Sequence, residues 1–543
     1  MTRRRELATV TAFVTLLTVV VTWPHALLLS NHLVAHHDPL LSIWRLGWIA
    51  HALRTAPSQL FNANIFYPAQ HTLAFSDATM LQGLLGAPLF WIGAPPVLIY
   101  NLLLLAGFAG SGLATYLLAR HVTGSMSASL VATAICTVLP YRIEHVMHLE
   151  LQWLMFVPLT WLALHKVVER GSWRWGVAAG LCFWLQVLAC IYYGVFLAMV
   201  LLAFVPALLI ASGRKRAVAA VPGLVVAGVV AVVLTAPFAM PYRAASLNVG
   251  ARPLDDIALY SATPVNYLST SALSWVWGWT ADRWGGPELR LFPGIAAVLL
   301  ALFAVVRRPR HLAWVYLATT LLAIELSLGL NGPGYRWLIE HVNALQGFRA
   351  LARFAAIGGV SLAVLAAFGA HSLFTHARTR GSGRAVVCAV VVLMIADYGV
   401  RPVNMMDGDP VEAPDAYKLL SRAPAGVILE LPLPQLDRLP GNEPMYEAWS
   451  LWHWKPLVNG YSGYYPHDYI ETVARMQGFP DDTSVEQLRS HHVRYVVVHR
   501  ALYDPDVYTR LMLSLAVRPE LKPWGAYKDS VGTANIFELS PVD

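Results

Sequence analysis

The sequence predicts an α-helical polytopic membrane protein, with about eleven transmembrane helices and a soluble C-terminal α/β domain. Three observations predict it. The 543 residues are 57% hydrophobic and only 13% charged, against roughly 25% charged in an average soluble protein. The deficit is uneven: residues 401–543 hold 19 acids and 13 bases, an ordinary soluble density, whereas residues 1–400 hold 13 acids and 26 bases. Finally, the apolar runs of the first part alternate with basic loops. The formal charge of +7 divides into +13 and −6 across the two parts. Because the excess Arg borders apolar runs, it argues for membrane topology rather than nucleic acid.

A spanning helix needs about 20 mostly apolar residues. The first candidate, Leu7–Leu29, follows Arg3, Arg4 and Arg5 and reads as an anchor rather than a cleaved signal. The others are Val97–Ala119, Ser127–Pro140, Leu149–Val168, Trp175–Cys190, Tyr192–Ala211, Val218–Met240, Leu291–Val306, His311–Leu330, Phe354–Thr375 and Ala385–Val400. With the N-terminus inside, every cytoplasmic loop is basic: Arg120; Lys166, Arg170 and Arg174; Arg214, Lys215 and Arg216; Arg307, Arg308 and Arg310; Arg378, Arg380 and Arg384. Residues 401–543 then lie outside. Met80–Trp91 is apolar but short, and reads as interfacial or re-entrant. Cys136, Cys182, Cys190 and Cys388 fall inside apolar runs, with no metal-type spacing and no disulfide framework.

On this topology the polar residues gather in the outer loops, where ionisable groups beside a bilayer are functional candidates. The first loop, residues 30–95, carries His36-His37-Asp38-Pro39 before a stretch that reads as amphipathic, with Trp44 and Trp48 at i, i+4. Asp38-Pro39 reads as a helix N-cap with Pro at the first position, a role compatible with a catalytic carboxylate. Asp77, just before the short apolar segment, also reads as a cap. Between spans three and four, Glu144, His145 and His148 suit a substrate hydroxyl or a metal ion, or are simply polar residues at the interface. Trp275, Trp277, Trp279 and Trp284 read as interfacial anchors or as sugar-stacking rings. Arg349 and Arg353 stand four apart on the outer side, where basic residues are under-represented. On a helix both would project from one face, suiting a phosphate, or snorkelling to headgroups.

These motifs, in this order, resemble the GT-C polytopic glycosyltransferases, which use polyprenyl-phosphate-linked sugars. The likeness is closer to bacterial members with a terminal outer domain. It rests on His-Asp-Pro-Leu at Asp38, Phe-Asn-Ala-Asn-Ile-Phe-Tyr-Pro at 61–68, Tyr-Asn-Leu-Leu at 100–103, the Pro-Tyr-Arg…His-Leu-Glu-Leu-Gln cluster at 140–152 and Phe-Arg…Arg-Phe at 348–354. The resemblance implies a GT-C-like module over 1–400 and an extracytoplasmic domain over 401–543, in a bacterial inner membrane. It further implies inverting transfer of a sugar from a polyprenyl-phosphate donor to a glycan, lipid or protein acceptor, with Asp38 as general base. Arg349 and Arg353 would bind the donor phosphate, and Trp44, Tyr67, Trp277, Tyr461 and Tyr464 the sugar or acceptor. His37, Asp77, Glu144, His145 and His148 are the candidates for substrate contact or for a divalent cation. Some members carry paired acids in the first loop; here His37 stands beside Asp38.

The tail reads as strand 426–431, helix 484–491, strand 493–499, helix 506–516 and strand 535–539, with a Gly/Tyr-rich loop at 458–465. Two other classes fit the composition. One is a flippase of lipid-linked saccharides, which should carry charged residues near the midplane, where Glu325 is the main instance. The other is a non-catalytic envelope assembly factor.

Overall fold

The computed structural model describes residues 2–307, 311–408 and 413–540; Arg308 and Arg310 of the fourth basic loop lie outside them. The chain forms two compact units that cut across sequence order. The first comprises Met1–Leu28, Leu102–Phe238 and Ala251–Asn404; the second comprises Leu29–Asn101, Ala239–Gly250 and Met405–Asp543. The expected first outer loop therefore folds with the tail.

All eleven expected apolar segments are helical. Among the described residues six helices are long and apolar enough to cross a membrane: Pro96–Thr123, Met126–Glu144, Leu149–Arg170, Ile191–Ser212, Arg214–Val249 and Leu351–Thr379. The remaining five, Arg3–Val21, Trp173–Ala189, Ile295–Val306, His311–Ser327 and Gly383–Tyr398, are shorter or more charged. The first ends at Val21 rather than Leu29, because Pro24 lacks the N–H that would continue the helix.

In the first unit, Phe354–Thr379 is buried almost continuously from Phe354 to Ala370 and packs against Ile295–Val306 and His311–Ser327. Its glycines permit that approach: a Cβ at Gly369 would meet the Leu300 carbonyl. Small residues at helix contacts serve this purpose in bilayers, where burial alone does not drive helices together. Arg142, 1% exposed, donates to the carbonyls of Cys136 (3.0 Å) and Gln152 (2.9 Å), and Gln152 donates back to His145 O (2.7 Å). The Pro-Tyr-Arg…Leu-Gln cluster is thus a clasp for backbone groups left open where the helix breaks at Pro140.

In the second unit, β1 (His32–Val34) pairs antiparallel with β2 (Met405–Asp407). Helix Asp38–Thr55 is buried on nearly all sides from Pro39 to Ala50, so it is a core helix and not the amphipathic one expected. Met80–Trp91 is a separate 12-residue helix, about 18 Å long at 1.5 Å per residue and too short to cross a bilayer. The tail carries β3 (Val427–Leu431), β4 (Val493–His499), β5 (Leu521–Lys528) and β6 (Thr533–Leu539), ordered β3-β4-β6-β5, with only β3 and β4 parallel. β5 was not expected: Pro523 and exposed Lys522 suit the edge it occupies. Helices Asp415–Arg422, Glu443–Ser450 and His467–Arg475 were also not expected.

The 61–68 run joins loop to tail. Leu457 N donates to Asn64 O (2.7 Å), Phe66 N to Asn459 O (2.9 Å) and Tyr67 N to Leu457 O (2.8 Å). Residues 456–458 in turn pair beside β3 through Ile428. The Asn64 side chain accepts from Trp44 Nε1 (3.0 Å) and donates to Ser450 Oγ (3.1 Å) and Lys455 O (3.2 Å).

Candidate functional site

Asp38 opens helix Asp38–Thr55, with His37 in the cap position and Pro39 next. It is therefore the first helical residue and not the cap that the sequence suggested. A carboxylate in the first turn faces the positive end of the helix dipole, which favours its charged form. Its Oδ1 accepts a hydrogen bond from the Tyr461 hydroxyl at 2.8 Å, and its Oδ2 lies 3.6 Å from His36 Nδ1. The side chain remains 13% exposed. Burial, then the Asp38 carboxylate, raises the Tyr461 phenol well above its ordinary range, so this hydroxyl donates and does not ionise.

Two turns along the same helix, Arg45 donates to Ser76 Oγ (2.9 Å), which meets Ser462 Oγ at 3.0 Å. Beneath the loop lie Glu443 and Glu447 of helix Glu443–Ser450, both 0% exposed. Glu443 accepts from Gly460 N (2.9 Å) and Asn459 Nδ2 (3.2 Å), and Glu447 from Tyr461 N (2.5 Å). Burial pushes Glu443 up to about 8 and Glu447 well above the carboxylate range.

The remaining second-unit candidates divide. Exposed His37 sits beside His36. Asp77 is buried and accepts from Thr79 N at 3.2 Å, holding the turn before Met80–Trp91 instead of capping that helix. Trp44 is 1% exposed and has no face for a sugar. Tyr67 packs against the tail's apolar core. Tyr464 lies half-buried in the same loop as Tyr461.

In the first unit the expectation of two arginines on one helical face fails. Helix Phe354–Thr379 begins after Arg353, and Arg349 precedes a short 3₁₀ turn. Arg353 grips Glu288 with both arms of its fork (2.8 and 3.2 Å) and lies 5.0 Å above the Tyr192 ring. Burial alone would raise Glu288, but Arg353 outweighs it and holds the carboxyl down at about 2. Arg349 lies 5.3 Å over the Tyr260 ring, with no carboxylate paired to it among the described residues. Glu144 pairs with Arg290 at 2.5 Å, which also binds Asp282 (2.8 Å). His145 and His148 contact each other through Nδ1 at 3.4 Å. Trp277 donates to Asp397 (2.8 Å), tying its loop to the end of helix Gly383–Tyr398, while Trp275 and Trp279 stay exposed. Glu325 accepts from Gly334 N at 2.7 Å at the start of helix Pro333–His341. Among the described residues no group of three or more His, Cys, Asp or Glu could hold a metal ion. The donors do not fit the candidate divalent cation: Glu144 is turned to Arg290 rather than to the histidines, and Asp38 to Tyr461.

Glu288, Arg45, Ser76, Ser462, Glu443 and Glu447 escaped sequence reasoning. An arginine entering an apolar helix signals a counter-ion in a facing loop, which would have led to Glu288. Arg45, seven residues from Asp38, lies on the same helical face.

The fold is similar to that of a solved oligosaccharyltransferase. The chain aligns over 98% of its length with the archaeal oligosaccharyltransferase AglB from Archaeoglobus fulgidus, solved in complex with an inhibitory peptide and a dolichol-phosphate. The TM-score is 0.51 at 13% identity, covering 74% of that chain. ArnT from Cupriavidus metallidurans in the apo state aligns over 98% of both chains at a TM-score of 0.40 and 13% identity. No protein-family model matches the chain, and no curated protein does.

Proposed function

We propose that this protein transfers a glycosyl group from a polyprenyl-phosphate-linked donor to an acceptor hydroxyl at the extracytoplasmic face of a bacterial inner membrane. The acceptor is a glycan, lipid or protein. The observation that carries the reading is Asp38: a partly exposed carboxylate at a helix N-terminus, oriented by a tyrosine hydroxyl, in a chain with the fold of AglB. The dolichol-phosphate in the AglB complex supports the class of donor.

Asp38 takes the proton from the acceptor hydroxyl as its oxygen bonds to the anomeric carbon. The bond from that carbon to the phosphate oxygen breaks on the opposite side, inverting the centre, and polyprenyl phosphate departs with the electron pair. A fixed cation near the departing phosphate lowers the barrier. Of the two arginines read for the donor phosphate, Arg349 has no carboxylate paired to it among the described residues, whereas Arg353 is committed to Glu288. The eleven helices are read as spans, N-terminus inside, with the tail forming an extracytoplasmic α/β domain. The flippase reading weakens because Glu325 serves a helix start.

The test is radiolabel transfer from a panel of polyprenyl-phosphate sugars by the purified full chain and by Asp38→Asn. The amide keeps the shape but cannot take a proton, so the expected loss is at least about 10²-fold at unchanged folded yield. Near-normal turnover in Asp38→Asn would remove Asp38 from the chemistry.

A further inference from the structure

The two buried glutamates beneath the Gly/Tyr loop serve no step of the reaction above. Glu443 and Glu447 are one helical turn apart on helix Glu443–Ser450 and project to one side. Both are fully buried, and burying a carboxyl is costly unless it is used. Between them they accept from three consecutive residues, at Asn459 Nδ2, Gly460 N and Tyr461 N, and the Tyr469 hydroxyl also faces Glu443. Asn459 is itself locked to β3, accepting from Glu430 N (2.7 Å) and donating to Glu430 O (3.0 Å). At Gly460 a Cβ would lie 2.6 Å from the Phe66 ring, so no side chain can intrude there. The turn is thus held from the helix, from the sheet and from the loop run at 61–68. Its one outward product is the Tyr461 hydroxyl, 2.8 Å from Asp38 Oδ1.

We infer that Glu443 and Glu447 are positioning residues, which fix the Asn459–Tyr461 turn so that the Tyr461 hydroxyl orients the Asp38 carboxylate. The tail thereby completes a site whose base lies 423 residues earlier in the chain. This rests on Asp38 being the base. As neutral acids, which their burial favours, the two glutamates accept backbone N–H groups, while Arg45 donates to Ser76 and also acts on Glu447.

The experiment uses the full chain in one detergent, comparing Tyr461→Phe, Glu447→Gln, Glu443→Gln and the double variant Tyr461→Phe/Glu447→Gln. A hydroxyl donated to a carboxylate favours its charged form, so removing it moves the acidic limb of the rate profile to higher pH, by about half a unit or more. His36, Arg45 and Tyr465 also surround the pair; Tyr461→Phe leaves them in place, so the shift isolates the hydroxyl. The rate should fall about tenfold with donor KM unchanged, the mark of lost orientation rather than lost binding. Glutamates acting through Tyr461 should give a double variant no worse than Tyr461→Phe alone. Additive losses, or an unmoved acidic limb, would overturn the inference. Independently of turnover, the thermal midpoints of Asp38→Asn, Tyr461→Phe and their combination should be non-additive; additive midpoints overturn it too. Should Asp38→Asn stay active, the proposed reaction itself falls. Should it be dead while Tyr461→Phe keeps the wild-type limb, only the positioning role falls.

Discussion

Arg349 and Arg353 differ by one carboxylate, and that difference decides what each can do. Arg353 holds Glu288 bidentately with both side chains 14% exposed, so Glu288→Gln leaves a guanidinium largely buried without its partner. The expected cost is up to about 3 kcal/mol, the low end for a fully buried pair, read as a lowered thermal midpoint. Arg349→Lys should leave the midpoint unchanged and slow transfer, because an ammonium cannot reproduce a fork on phosphate; unchanged kinetics would assign Arg349 to lipid headgroups. Glu288 also sets an acid limit. Its carboxyl is held from 4.5 down to about 2, so its stabilisation is complete above about 4.5 and is lost as pH falls through about 2. Wild type should therefore lose more stability across that window than Glu288→Gln does.

The tail's elements rest on an opposite titration. His499 on β4 bonds Asp529 (2.6 Å) and Glu430 (2.7 Å) within the core. Burial works against the cation, but the two carboxylates outweigh it and raise the imidazole to about 9. A raised value gives stability that is full below about 6.5 and is lost as pH rises through about 9, worth about 3 kcal/mol for the whole shift. Thermal melts of the full chain should weaken across that window, and His499→Gln should flatten the dependence; a wild-type profile flat from pH 6 to 10 would refute a charged His499. The sequence revealed β3 and β4 as elements because short apolar-rich runs of five and seven residues are a local signal, but not this triad, whose members lie 30 and 69 residues apart. Asn64 illustrates the same boundary. The 61–68 run carries part of the family resemblance, yet Asn64 within it joins Trp44, Ser450 and Lys455. Asn64→Ala would leave the Trp44 indole N–H buried without its acceptor, costing about 1–3 kcal/mol.

At the scale of the whole molecule, hydropathy is a local property summed along the chain, which is why all eleven apolar segments reappear as helices. The partition into units was not legible, because 29–101 and 405–543 come together only through folding. The candidate site fared likewise: Asp38 and Tyr461 were each singled out by residue type, but their bond spans 423 positions. Sidedness is proposed from the sequence alone. Lys and Arg cross a bilayer against the insertion bias, so clusters such as Arg214-Lys215-Arg216 are read as cytoplasmic. Treating Met80–Trp91 as non-spanning then puts the C-terminus outside, and its 12-residue length supports that treatment. A reporter active only outside the cytoplasm should therefore give signal when fused after Asp543 and stay silent when inserted after Arg216. The reverse pattern would put Asp38 and Tyr461 on the cytoplasmic side, where the proposed reaction could not meet an extracytoplasmic acceptor. Signal at both positions would instead mean an odd error in the span count between them, with residues 291–306 and 311–330 the first to re-examine, since Ile295–Val306 and His311–Ser327 are among the shorter apolar helices.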